Sequence, residues 1–154
     1  TIIQMFPEYE EVVDALMPIV TEEWGHFRMV VDQLKKRGMA LGRQRRDEYV
    51  NQLQSNIIQG GSRDHQLVER LLIAALIEAR SCERFRLLSL DIADDELKEF
   101  YRKLMISEAG HFRLFLDLAI SISPKTQVMK RWEEYLLAEA EIIANLELRG
   151  DRVH

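Results

Sequence analysis

Apolar positions recur along this chain at the three- and four-residue spacing of a buried helix face, and no stretch shows the alternation of a half-buried strand. The fold class this predicts is all-α. From residue 8 to residue 37 one face runs Val12, Leu16, Ile19, Glu23, His26, Val30 and Leu34, with Pro18 expected to kink or restart the helix and Gly38 to stop it. A short helix is expected over residues 47 to 58, and Gly60-Gly61-Ser62 is the clearest break. The next helix, from about 63 to 90, carries Leu67, Leu71, Ala74, Ala75, Glu78, Cys82 and Phe85 on one face. After a tight turn at 91 to 94, Asp94 or Asp95 caps a helix bearing Phe100, Leu104, Glu108, His111, Phe115 and Leu118. Ser123-Pro124 opens the last helix, whose stripe of Val128, Trp132, Tyr135, Leu136, Glu139, Ile143 and Leu146 is expected to end near Gly150. Residues 1 to 6 are largely apolar and stop at Pro7, like the last turns of a helix. No low-complexity segment or linker divides the 154 residues, so a single domain is expected.

Glu and His interrupt two of these faces in the same way. Residues 23 to 32 and 108 to 117 both read E-x-G-H-F-R-x-x-x-D, a repeat separated by 85 residues. On a helix a Glu and a His three residues apart lie on one face, about 4.5 Å apart along the axis, so both can reach one metal ion. Two such helices face to face would supply Glu23, His26, Glu108 and His111, a large part of the ligand set of a carboxylate-bridged di-iron or di-manganese centre. Helices joined by the turn at 91 to 94 must run antiparallel. Glu78 then falls within ~4 Å of the height of Glu108 and His111, whereas Glu83 is ~10 Å out of register. Glu78 is the expected third carboxylate and Glu83 the fallback. Mixed carboxylate and imidazole donors suit iron, or manganese, better than zinc. A single E-x-x-H is commonly a surface pair; its duplication inside apolar stripes favours metal. Arg28 and Arg113 are placed to pair with Asp32 and Asp117 four residues on, unless those acids orient a ligand histidine. Trp24, Phe27 and Phe112 have core packing as their default and a substrate cavity as the alternative.

Charge adds one feature. The chain is acidic overall, with net charge -5 and pI near 5.4, yet residues 35 to 46 hold Lys35, Lys36, Arg37, Arg43, Arg45 and Arg46 and no acid. That segment is either a helix C-terminus with a solvated loop or a phosphate-binding patch. Cys82 is the lone cysteine, which fits a reducing cytoplasm and a buried apolar role. No stretch approaches a membrane span or a signal peptide. Position 1 is not Met, which permits a start partway into a longer product.

The segment Ile77-Glu78-Ala79-Arg80-Ser81-Cys82-Glu83-Arg84-Phe85, then Glu99-Phe100-Tyr101 and Ser107-Glu108-Ala109-Gly110-His111-Phe112, closely resembles the tRNA isopentenyl-adenosine hydroxylase family. Glu22-Glu23-Trp24-Gly25-His26-Phe27 matches that family's earlier metal helix. The resemblance implies a ferritin-like bundle with extra helices and a non-haem di-iron centre, with Glu23, His26, Glu78, Glu108 and His111 as ligands. It also implies dioxygen-dependent hydroxylation of the isopentenyl group of a hypermodified adenosine beside the tRNA anticodon. tRNA is then the partner, its phosphates met by the basic segment. No flavin or nicotinamide motif is seen, so electrons are expected from a separate donor or reductase. The family's first helix carries a D-H-x-x-C-E-x-K-A-A type stretch that nothing here matches. Either a first core helix is missing, making the domain N-terminally incomplete with residues 1 to 6 as its trailing end, or one ligand has been lost. Two other readings stand beside this one: a ferritin-like iron oxidase, store or peroxidase without a nucleic-acid substrate, and a helical interaction module.

Overall fold

Among the described residues, glycine breaks and acidic caps set off six helices: α1 (Ile2–Met5), α2 (Glu10–Lys36), α3 (Glu48–Ser55), α4 (Arg63–Asp91), α5 (Asp95–Ile122) and α6 (Lys125–Asn145). The computed structural model describes residues 1–44 and 46–146, and no strand occurs among them. The caps follow the local chemistry. Carboxylate or hydroxyl oxygens of Asp47, Ser62 and Asp94 accept from the backbone N–H of Val50, His65 and Leu97, so each opens a helix by satisfying one of its orphan donors. Gly60 and Gly61 adopt φ of +85° and +80°, the left-handed region closed to most side chains.

The chain forms two compact units, Thr1–Arg46 and Asp47–His154. In the first, α1 is one helical turn that stops before Pro7 and packs on α2, with the Phe6 ring edge-on to Tyr9. Helix α2 continues through Pro18 without the restart the sequence allowed. Its apolar stripe is buried only at Val12, Leu16 and Ile19. Beyond them the side chains of Glu23 and Val30 are exposed, because the stripe's lower half has no described element over it within its own unit.

In the second unit α4 and α5 lie antiparallel along most of their length, with α6 and α3 packed beside them. Two contacts set the register. The Cys82 thiol points to the Met105 carbonyl oxygen at 3.5 Å, and the Phe85 ring stacks on Tyr101 with centroids 5.8 Å apart. The first half of α4 is buried on nearly all sides, at Leu67, Val68, Leu71, Leu72, Ile73, Ala75 and Leu76. Val128, Trp132, Tyr135 and Ile142 of α6 and Tyr49 and Leu53 of α3 complete the core. Helix α6 ends at Asn145, where Leu146 turns extended, rather than near Gly150; Gly150 itself lies outside the described residues.

Candidate metal centre

Helix α5 buries Phe100, Leu104, Glu108, His111, Phe115 and Ala119, a single face at three- and four-residue spacing. An acid and an imidazole therefore enter the interior because the apolar residues on either side of them do. The two side chains are almost wholly covered, and His111 Nδ1 lies 3.9 Å from Glu108 Oε2. Burying a carboxylate beside an imidazole is costly unless strong partners compensate, which is the situation metal coordination relieves.

Glu78 is placed by the register of α4 and α5. One turn before Cys82 on α4 and one turn after Met105 on α5 meet at Glu78 and Ala109, so Glu78 stands level with Glu108. Glu83 is directed elsewhere: it is exposed and accepts from Arg80 Nη1 at 2.6 Å. Cys82 sits between these levels. Burial first, and the charge of Glu108 second, push its thiol pKa up, so it stays protonated and does not offer a thiolate.

In the first unit, Glu23 and His26 lie on one face of α2, with His26 Nδ1 3.1 Å from Glu23 Oε1. This pair is more open than the one on α5, the Glu23 side chain being 45% exposed and that of His26 18%. Trp24 and Phe27, beside them, stack on each other at 5.5 Å and are exposed rather than in a core. Phe112 instead packs against Trp132 across α5 and α6. Neither Arg28 with Asp32 nor Arg113 with Asp117 forms the ion pair their spacing allowed; all four side chains point to solvent. Lys35, Lys36, Arg43 and Arg46 are exposed, and Arg37 turns back onto Gln33 through its carbonyl and side-chain oxygens. Arg45 lies outside the described residues.

One buried polar cluster had no counterpart in the sequence reading. Glu69, with no solvent exposure, accepts from Arg131 Nε (2.7 Å) and Nη2 (2.9 Å), Tyr135 Oη (2.6 Å) and the Ile58 N–H (2.9 Å). Burial alone would raise its pKa, but the Arg131, Tyr135 and Ile58 bonds together hold it below the usual carboxylate range. Arg131 also donates to the Asn56 carbonyl and lies over the Tyr135 ring, tying α6 to α4 and to the segment after α3. The one available signal was a Glu inside the apolar run at 67 to 73. Glu139, on the stripe of α6, accepts a hydrogen bond from Tyr49 Oη at 2.6 Å.

An all-helical chain with a buried Glu-x-x-His and a carboxylate level with it on the neighbouring helix falls in the ferritin-like class. The chain matches, over residues 1–154, the family described as tRNA-(MS[2]IO[6]A)-hydroxylase (MiaE), and it belongs to that family. It is 31% identical over 146 residues to the tRNA 2-(methylsulfanyl)-N(6)-isopentenyladenosine(37) hydroxylase of Pseudomonas putida, covering 93% of this chain and 68% of the relative. The Salmonella typhimurium protein of the same name is 30% identical over 140 residues, and the match covers 89% of this chain and 49% of that protein. Among solved structures, a Synechococcus protein with aldehyde deformylating oxygenase activity superposes with a TM-score of 0.87 at 33% identity, over 96% of this chain and 74% of that one.

Proposed function

We propose that this chain is a dioxygen-dependent non-haem di-iron monooxygenase that hydroxylates the isopentenyl group of a hypermodified adenosine next to the tRNA anticodon. The carrying observation is the buried Glu108–His111 pair with Glu78 level beside it, in a member of a family named for that reaction. The donor chemistry fits: oxygen and imidazole nitrogen donors, with the nearby thiol kept protonated, suit iron, with manganese as the alternative. Glu23, His26, Glu78, Glu108 and His111 would hold two iron ions, which when bound supply the activation of dioxygen needed to attack a C–H bond. The protein's own part is positional. Leu104 and Phe115, one turn to either side, keep water from Glu108 and His111 and so preserve the strength of their electrostatic interactions.

Lys35, Lys36, Arg37, Arg43, Arg45 and Arg46 meet tRNA phosphates, and affinity falls with salt accordingly. A separate reductase or other donor supplies electrons, and the enzyme works in the cytoplasm. No helix among the described residues is long and apolar enough to cross a membrane. The test is ferrous loading without air, followed by air, a reductant and tRNA carrying isopentenylated adenosine. Hydroxylated nucleoside is the expected product. Adenosine that stays unhydroxylated at full iron occupancy overturns the proposal.

The likeness to the Synechococcus protein supports a second reading, an oxygenase acting on an aldehyde. Loss of added aldehyde under the same conditions, with tRNA unchanged, would favour it.

A further inference from the structure

Arg86 and Arg102 stand at the same height on α4 and α5, following the register that sets Cys82 opposite Met105 and Phe85 against Tyr101. Both line one cleft of about 480 Å³, together with Ser89, Leu90, Lys98 and Met105. Two cations facing one cleft from neighbouring helices repel each other unless solvent or an anion separates them. Other arginines on α4 avoid this by pairing: Arg80 donates to Glu83, and Arg84 donates to Ser81. Among the described residues neither the Arg86 nor the Arg102 guanidinium has a hydrogen-bond or ion-pair partner. Two acids also border the cleft. Asp95 is taken by Lys98 at 3.2 Å, and Glu99 binds neither arginine.

We infer that the Arg86–Arg102 cleft is a phosphodiester-binding site that grips the backbone of an RNA, apart from the basic segment at residues 35 to 46. Guanidinium groups present planar donor forks that match phosphate oxygens two at a time, which a lone ammonium does not. Ser89 spends its hydroxyl proton on the Arg86 carbonyl at 2.7 Å, so the two guanidinium groups are the donors. Leu90 and Met105 give the cleft an apolar side against which a ribose or base can lie. Arg102 precedes Glu108 by six residues, about 9 Å along α5, so the gripped phosphate belongs to the same helix pair as the buried acid and imidazole. The inference rests on the tRNA reading for its choice of polyanion, but it concerns binding and needs no turnover.

The experiment is a salt titration of binding between the full chain and an unmodified RNA stem-loop, with Arg86→Ala, Arg102→Ala, the double variant, and Lys130→Ala, an exposed position of α6, as the control. Each lost phosphate contact lowers the slope of log affinity against log salt by about 1, so the double variant is expected to lose about 1 to 2 in slope and about ten-fold or more in affinity near physiological salt. Lys130→Ala should change neither. Arg102→Lys should recover most of the slope and only part of the affinity, because charge returns without the fork. Unchanged circular dichroism and iron uptake would separate a binding defect from misfolding. A double variant that binds within two-fold of the parent, or a parent that fails to bind RNA at low salt, overturns the inference. Weakened RNA binding in a chain that never hydroxylates adenosine leaves it standing and removes only the hydroxylase reading.

Discussion

Tyr135 Oη donates a 2.6 Å hydrogen bond to Oε2 of Glu69, a carboxylate with no solvent exposure whose other oxygen is held by Arg131 Nε. The group is ionised in the interior because its cation and two neutral donors come with it. Removing the cation alone strands the charge. Arg131→Ala is expected to lower unfolding free energy by about 3–5 kcal/mol in denaturant titrations. Replacing Glu69 and Arg131 together with apolar residues of similar volume should cost much less.

Acid should act through the same carboxylate. Its pKa is depressed in the folded state, so the stability it adds is present above the unfolded value of about 4.3 and is lost as pH falls through the folded value. Thermal unfolding followed from neutral pH downward should show a steep acid loss in the parent. In Glu69→Gln the curve should be flatter over the same interval, at lower overall stability.

Tyr49 and Tyr135 give the opposite limb. Burial first, then hydrogen bonds to Glu139 and Glu69, raise both phenol pKa values beyond the ordinary tyrosine range. Their contribution is complete below the unfolded pKa of about 10 and is lost as pH rises through the folded values. Phenolate absorbance in an alkaline titration should therefore appear for these two rings only with unfolding. Tyr49→Phe should remove one such ring and cost about 1–2 kcal/mol.

Glu78 and Glu83 separate in a metal titration. Glu83 is exposed and bonded to Arg80, whereas Glu78 is level with Glu108. Glu83→Ala is expected to keep the parent's iron stoichiometry, and Glu78→Ala, Glu108→Ala and His111→Ala to reduce it. Ferrous iron at about a hundred times its Kd should stabilise the parent by about 2.7 kcal/mol through linkage, a gain absent in the last two variants. Equal iron uptake by all four would argue against these ligands.

At Gly61 φ is +80°, and a Cβ there would lie 2.8 Å from His65 Cδ2. Gly61→Ala is thus strained both in backbone and in contact, and a loss of about 1–2 kcal/mol is expected from denaturation. Gly42→Ala, with open space around it, should be close to neutral.

Local chemistry made much of the fold legible. Helix periodicity, the Gly60-Gly61-Ser62 break, the Asp94 cap and the Ser123-Pro124 start all act through neighbours in sequence, and the helices lie where those signals put them. The E-x-x-H repeat was equally visible, since its meaning depends on residues three apart. Antiparallel geometry at a short turn let counting place Glu78 level with Glu108.

What pairs across long separations was not readable in this way. Nothing near Glu69 in the chain announces Arg131, 62 residues on, or Tyr135, and nothing near Tyr49 announces Glu139. The exposure of Trp24, the unused pairing of Arg28 with Asp32, and the shared cleft of Arg86 and Arg102 likewise depend on which helix lies against which face. The helices, their caps and the acid–imidazole repeat were open to reading from the residues alone, because each is written in interactions a few residues long. Only tertiary packing decided which acids are desolvated, which cations find partners and which side chains share a height, since those depend on distances that the chain closes only by folding.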